Sequence, residues 1–276
     1  MRSQKMRILA VTVISLIMAL LRLVIITFEL EKNAVDTDTY YLPNTLEVKA
    51  FTAVTILFVL VFIYSAFTLG KKKTISFCRS YGAVPAGSLI LGFALIGAGV
   101  IYVMSLLERE YIFPTVIGGC VLVFTFLSAF KFLYSGLFYH KECKKQELHA
   151  LAALLPILFS TFRLLGDFIR SSAAPLASSG AYHIVGLVAV LLYFLCEGKS
   201  YVSETSASSC TAFGYVAIYF LFVYSLPNLV LHCFGTFVFN YYTAYSIVDL
   251  ALAVYIAVKL SSAKLCEKEE STAEAE

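Results

Sequence analysis

Residues 84–107 read VPAGSLILGFALIGAGVIYVMSLL, without one charged side chain. At a rise of about 1.5 Å per residue, such a run makes a helix of roughly 36 Å, longer than the roughly 30 Å of hydrocarbon in a bilayer. It has no polar face to turn toward water. Backbone groups must be paired inside lipid, and the stretch lacks the alternating polar period of a barrel strand, so a transmembrane helix is the expected structure.

Working outward from it, seven further apolar runs come near the same length, at about 7–29, 50–70, 112–134, 150–170, 181–197, 211–233 and 243–260. The sixth and eighth are the shortest. Hydrophobic residues make up 60% of the chain and charged ones 14%, with a mean hydropathy of +0.84. Soluble domains sit nearer one half and one quarter. The expected fold is therefore all-α, a polytopic bundle of about eight transmembrane helices in a single domain covering 1–276. The basic residues 1–7 lead into an apolar stretch too long for a signal-peptide core, and no small-x-small site precedes Glu29, so it reads as an uncleaved first helix.

The charges outside the spans are unevenly shared. Arg2, Lys5, Arg7, Lys71, Lys72, Lys73, Arg79, Lys141, Lys144, Lys145, Lys199, Lys259, Lys264 and Lys268 fall on the side of the two termini, fourteen in all. Lys32, Lys49, Arg109 and Arg170 fall on the other side with an acidic loop. Positive flanks stay in the cytoplasm, so a multi-pass protein of the cell membrane with both termini cytoplasmic is expected. The acidic tail, 266–276, is expected to be disordered.

Two four-helix halves can be laid over one another, a first repeat over 7–140 and a second over 150–265. Gly70-Lys71 matches Gly198-Lys199 and Lys131 matches Lys259 at an offset of 128, while Leu21-Arg22-Leu23 matches Phe162-Arg163-Leu164 at 141. Four spans per half would give tandem repeats in parallel orientation.

Charge within a span costs about 2.5–3.5 kcal/mol on insertion scales, so charged positions there are the first place to seek a site. Arg22 lies in the outer half of the first helix. Its counterpart Arg163 has Asp167 one turn later, where an i,i+4 pair is expected. Glu29 follows Arg22 on the same face. Arg22, Glu29, Arg163, Asp167 and Arg170 are expected to meet in one polar cluster that either binds an anion or merely fastens helices. Asp249 has no opposite charge near it in sequence and is a candidate cation or proton site. Pro227-Asn228 is expected to interrupt the seventh helix and Pro156 the fifth, which makes Asn228 a further binding candidate. Lys131 and Lys259, near inner helix ends, are expected to snorkel. The small residues Gly87, Ser88, Gly92, Ala94, Gly97, Ala98 and Gly99 give the third helix a close-packing surface. Tyr40, Tyr41, Tyr111, Phe113, Tyr241 and Tyr242 stand at outer boundaries as interfacial anchors.

Several classes are disfavoured. The seven cysteines show neither a CxxC nor a paired external set, and His140, His149, His183 and His232 have no metal-ligand spacing, so no metal site or disulfide framework is expected. No cofactor-binding or catalytic motif is present. Nor is there a basic, aromatic-interleaved patch for nucleic acid.

Leu20-Leu21-Arg22-Leu23, the acidic loop ending Tyr40-Tyr41-Leu42-Pro43, and Leu195-Cys196-Glu197-Gly198-Lys199 together resemble an uncharacterised family of eight-span membrane proteins from clostridial-type Gram-positive bacteria. The resemblance implies a bacterial cytoplasmic membrane and assigns no site residue. Three functions are ranked: a small-solute transporter or permease subunit with the bilayer and a small solute or ion as partners, then a non-catalytic scaffold or sensor subunit, then an intramembrane enzyme on lipid-linked substrates. The enzyme comes last because no nucleophile, base and orienting group can be assembled.

Overall fold

A computed structural model describes residues 2–33, 46–70, 73–77, 83–107, 115–138, 146–173, 178–203, 205–234 and 241–267. In chain order the elements are α1 (Arg2–Asn33), α2 (Leu46–Gly70), β1 (Lys73–Ser76), α3 (Val84–Leu107), α4 (Thr115–Leu137), α5 (Gln146–Ala173), α6 (Ser178–Ser200), α7 (Ala207–Cys233), α8 (Tyr241–Ser262) and β2 (Lys264–Glu267). All eight helices contain an apolar stretch of 20–27 residues, enough to cross a bilayer. The protein is thus an integral membrane protein with an all-α, eight-span bundle. The two shortest expected runs gain length at their ends: the sixth span extends over Gly180–Ser200 and the eighth over Thr243–Ser262.

An even number of spans returns the chain to the face where it entered, here called the terminal face. The strands agree with that count. β1, just after α2, pairs antiparallel with β2, just after α8, in the register Lys73↔Glu267, Thr74↔Cys266, Ile75↔Leu265 and Ser76↔Lys264. The connection between α6 and α7 joins them, the Ile75 amide donating to the Thr205 carbonyl at 3.1 Å. Ile75 and Phe77 turn inward and are buried. This clasp had no counterpart among the expectations.

α7 and α8 form the centre. α7 packs against α6, α8, α1 and α2, while α8 packs against α7, α3 and, more lightly, α1. α3 pairs with α4, and α4 with α5, which closes the periphery onto α6. Contacts cross the division into two halves: α1 and α2 lean chiefly on α7, and α3, besides its pairing with α4, packs on α8. The sequence explains the centre. α7 and α8 carry Tyr215, Tyr219, Ser225, Tyr245, Ser246, Asp249, Tyr255 and Lys259, all buried. α2 instead shows Ile56, Leu57, Leu60, Val61 and Phe67 on its outer face, the composition that hydrocarbon accepts.

Small residues let the α3–α4 pair approach closely. A Cβ on Gly92 would stand 2.8 Å from Leu133, one on Gly99 2.8 Å from Phe126, and one on Gly136 of α4 3.0 Å from the Pro85 carbonyl. Gly97, by contrast, has nothing within 4 Å and plays no part in this contact.

The expectation that prolines interrupt helices is corrected. α5 runs through Pro156 and α7 through Pro227. Proline has no N–H, so the carbonyl four residues earlier loses its helical donor. For Pro227 that carbonyl belongs to Val223, and Arg22 Nη1 of α1 donates to it at 3.0 Å. A neighbouring helix replaces the missing bond, and α7 stays whole.

Candidate functional site: a buried charge network

α5 and α7 leave the terminal face, and α6 and α8 return to it. Arg163 and Asp167 therefore sit in the far part of the α5 span, and His183 and Asp249 close after the starts of the α6 and α8 spans. Three helices bring them to one level. Arg163 clamps Asp249 with two parallel bonds, Nη1 to Oδ1 at 2.5 Å and Nη2 to Oδ2 at 2.8 Å. Ser225 of α7 donates to Asp249 Oδ2 at 3.3 Å. His183 Nδ1 lies 3.2 Å from Asp167 Oδ2. Its Nε2 lies 3.1 Å from Asp249 Oδ2 and 3.0 Å from Arg163 Nη2.

Those last two contacts cannot both be hydrogen bonds at once. A neutral ring protonated at Nδ1 accepts from Arg163 through Nε2, whereas a ring carrying a proton on Nε2 donates to Asp249 instead. Nδ1 stays 3.2 Å from Asp167 Oδ2 in either case, a close contact short of hydrogen-bond geometry. One proton on Nε2 therefore decides whether His183 is tied to Arg163 or to Asp249.

Aromatic rings wall the network. The Arg163 guanidinium lies over Tyr245, 4.7 Å from the ring centroid, and the Tyr245 hydroxyl is 2.9 Å from Thr125 Oγ1 on α4. His183 stacks on Tyr224 at 4.3 Å. Arg22 reaches the same wall, 4.6 Å over Tyr182 and 5.8 Å from the Tyr224 centroid. Arg22, Arg163 and Asp249 are 2%, 3% and 0% exposed, whereas the Asp167 side chain keeps 15% of its surface.

Measured against the candidates named above, Arg22, Arg163, Asp167 and Asp249 come together. The side chains of Glu29, Arg170, Tyr241 and Tyr242 lie outside the described residues, as do Tyr40, Tyr41, Tyr111 and Phe113 and the tail beyond 267. Asn228 does not join: its carbonyl accepts from His232 Nδ1 at 2.6 Å, and its side chain has no described polar contact with the network. Two expectations are corrected. Arg163 is paired across helices with Asp249, while Asp167, its expected i,i+4 partner, faces His183. Asp249 is accordingly not an isolated carboxylate, because the guanidinium occupies the place a bound cation would take. Arg22 turns across the bundle to α7.

His183, Ser225, Tyr224 and Tyr245 were missed. His183 was dismissed for lacking metal-ligand spacing, yet a histidine three residues inside an apolar span is itself a signal.

A second buried pair lies near the terminal face. Lys259 Nζ is 3.3 Å from Glu197 Oε1, and the residues are 2% and 1% exposed. Lys259 thus does not snorkel, since a carboxylate waits for it inside the bundle. Lys131 is half-buried, with its ammonium 4.2 Å over Phe132. Among the described residues no cluster of His, Cys, Asp and Glu has the geometry of a metal site. In comparisons with known protein families, curated proteins and solved structures, the chain finds no match.

Proposed function

We propose that this protein is a small-solute transporter of the cytoplasmic membrane, with the Arg163–Asp249–His183–Asp167 network as its proton-responsive element. One observation carries the reading: His183 Nε2 lies within hydrogen-bond reach of a guanidinium and of a carboxylate that demand opposite protonation states. A bare fastener would be complete with Arg163 and Asp249. Adding an imidazole and a second carboxylate makes the charge of a dry site depend on one proton, and histidine is the side chain that titrates in the physiological range. Chains of Asp, Glu and His in spans are a recurrent means of coupling protons to movement. The lysine and arginine asymmetry supports a cytoplasmic terminal face, and the resemblance to eight-span proteins of clostridial-type bacteria supports the cytoplasmic membrane.

A scaffold remains the second reading, favoured by the tight enclosure of the network and by the structural use of Arg22 on the Val223 carbonyl. The two separate on accessibility, without knowledge of the solute. Ser225 is fully buried beside Asp249. In a protein otherwise freed of cysteine, Ser225→Cys is exposed to a membrane-impermeant thiol reagent from either face of proteoliposomes under an imposed pH gradient. A transporter presents Cys at 225 to one face, then the other, as the gradient is reversed. Complete shielding under every gradient would establish the scaffold instead.

A further inference from the structure

Glu197 is satisfied lopsidedly. Its Oε1 takes Lys259 Nζ at 3.3 Å, the Tyr201 hydroxyl at 3.2 Å and the Tyr255 hydroxyl at 3.2 Å. Its Oε2 is equally buried and has no hydrogen-bond partner among the described residues. A pair that served only to hold α6 to α8 would spread its donors over both oxygens, because an unmet buried carboxylate oxygen costs about 1–3 kcal/mol or more. The Tyr193 hydroxyl, one turn deeper on the same face of α6, is also buried without a partner among those residues. An empty acceptor and an unengaged hydroxyl lie at successive turns. A proton on Oε2 would make that oxygen a donor.

The cover over these groups is the strand clasp. Phe77, directly after β1, lies with its ring 5.6 Å from Lys259 Nζ and packs edge-on against Tyr193 at 6.4 Å. It is 3% exposed. Among the described residues, the side of Glu197 toward the terminal face is thus covered by a side chain that follows a pair of four-residue strands, themselves tied to the α6–α7 connection through Thr205 and Ser206. Short two-stranded pairings are marginal by themselves.

We propose that Glu197 is a proton-binding site facing the cytoplasm, loaded on Oε2 from cytoplasmic water when the β1–β2 clasp opens and withdraws Phe77. The proton sits on Oε2, with Lys259 and Tyr255 of α8 and Tyr201, just past the end of α6, on the other oxygen and the unengaged Tyr193 hydroxyl one turn deeper. Lys131 of α4 and Cys210 of α7 lie in the surrounding field, and His149 of α5 stands behind Tyr201, its ring 6.0 Å away. This site would give the proposed transporter its inner station, but it is argued from separate residues, and its test needs no solute flux.

The experiment is infrared difference spectroscopy of the reconstituted protein between neutral and acid pH. A protonated-carboxyl C=O band should appear, vanish in Glu197→Gln, and shift in frequency in Tyr193→Phe, which removes a single oxygen and keeps the packing. Thr74 stands opposite Cys266, and paired antiparallel strands hold Cα atoms at disulfide distance, so Thr74→Cys can lock the clasp by oxidation. Locking should slow the deuterium shift of the band about tenfold or more, reversed by reductant, as expected of exchange gated by local opening. A band that survives Glu197→Gln and ignores Tyr193→Phe would overturn the site, and exchange unaffected by the lock would overturn the gate. Either failure leaves the Ser225 accessibility result standing, and a shielded Ser225→Cys leaves this one.

Discussion

Removing one partner of the Arg163–Asp249 pair should cost far more than removing both. Asp249→Asn leaves the Arg163 guanidinium with a neutral amide in place of a bidentate carboxylate, at 3% exposure and between four helices. Breaking one half of a buried pair typically costs about 3–5 kcal/mol, because the survivor stays desolvated. Arg163→Leu has a comparable effect: Asp249 keeps only His183 and Ser225 as donors. Replacing both by leucine removes both buried charges, and the double variant should be less destabilised than either single one. The chain has no tryptophan, whereas Cys210 is wholly buried on α7, so a thiol-reactive dye whose fluorescence rises on unfolding reports directly on the central helix. With the other six cysteines (78, 120, 143, 196, 233 and 266) replaced by serine, each single substitution should lower Tm by on the order of 10 °C, taking about 2–4 °C per kcal/mol. The double variant should recover at least half of that loss. Equal and additive losses would refute the claim that these residues share one interaction.

Three further outcomes follow from individual contacts. Arg22→Met should cost about 1–3 kcal/mol by orphaning the Val223 carbonyl, and much less in a Pro227→Ala background, where alanine restores the helical N–H; the same melting assay reads the non-additivity. Gly136→Ala should lower Tm, because its new methyl would meet the Pro85 carbonyl at 3.0 Å and Leu89 at 2.7 Å, at about 1–3 kcal/mol for overpacking, while Gly97→Ala, with open space around it, should leave Tm unchanged or slightly raised. In sealed right-side-out cells an impermeant thiol reagent should label Cys233 and spare Cys266, and in inverted vesicles the preference should reverse; the opposite pattern would place the terminal face outside.

The fold was legible because its signal is collective. About twenty mostly apolar residues in a row have one stable solution in lipid, whatever their order, so eight spans could be counted from composition along the chain. The strand clasp was not legible, since its residues 73–76 and 264–267 are polar, short and far apart in sequence, and only the closed bundle brings them together. The site was half legible. Burial cost marks Arg22, Arg163, Asp167 and Asp249 as unusual, but not which charge answers which. Sequence separation favoured Asp167 as the partner of Arg163, one turn away, yet Asp249 lies 86 residues on and on another helix. Glu197 and Lys259 were hidden for a related reason. Each lies near a helix end, where a long side chain can reach water, and only the packing of Phe77 and Tyr255 shows that neither does.

The two networks share a pair of helices. α6 contributes His183 and Glu197, separated by fourteen residues or about 21 Å of helix, and α8 contributes Asp249 and Lys259, separated by ten or about 15 Å. Both helices pack on α7, and charged side chains join them to each other at two levels, one toward each face. In the dry interior, a change of one charge at either level alters the strength of that clamp by far more than it would in water. Loosening the far clamp leaves α6 and α8 hinged at Glu197–Lys259, and loosening the near one leaves them hinged at His183–Asp249. A helix pair held this way can open toward one face only while it stays closed toward the other, which is the geometric requirement of alternating access.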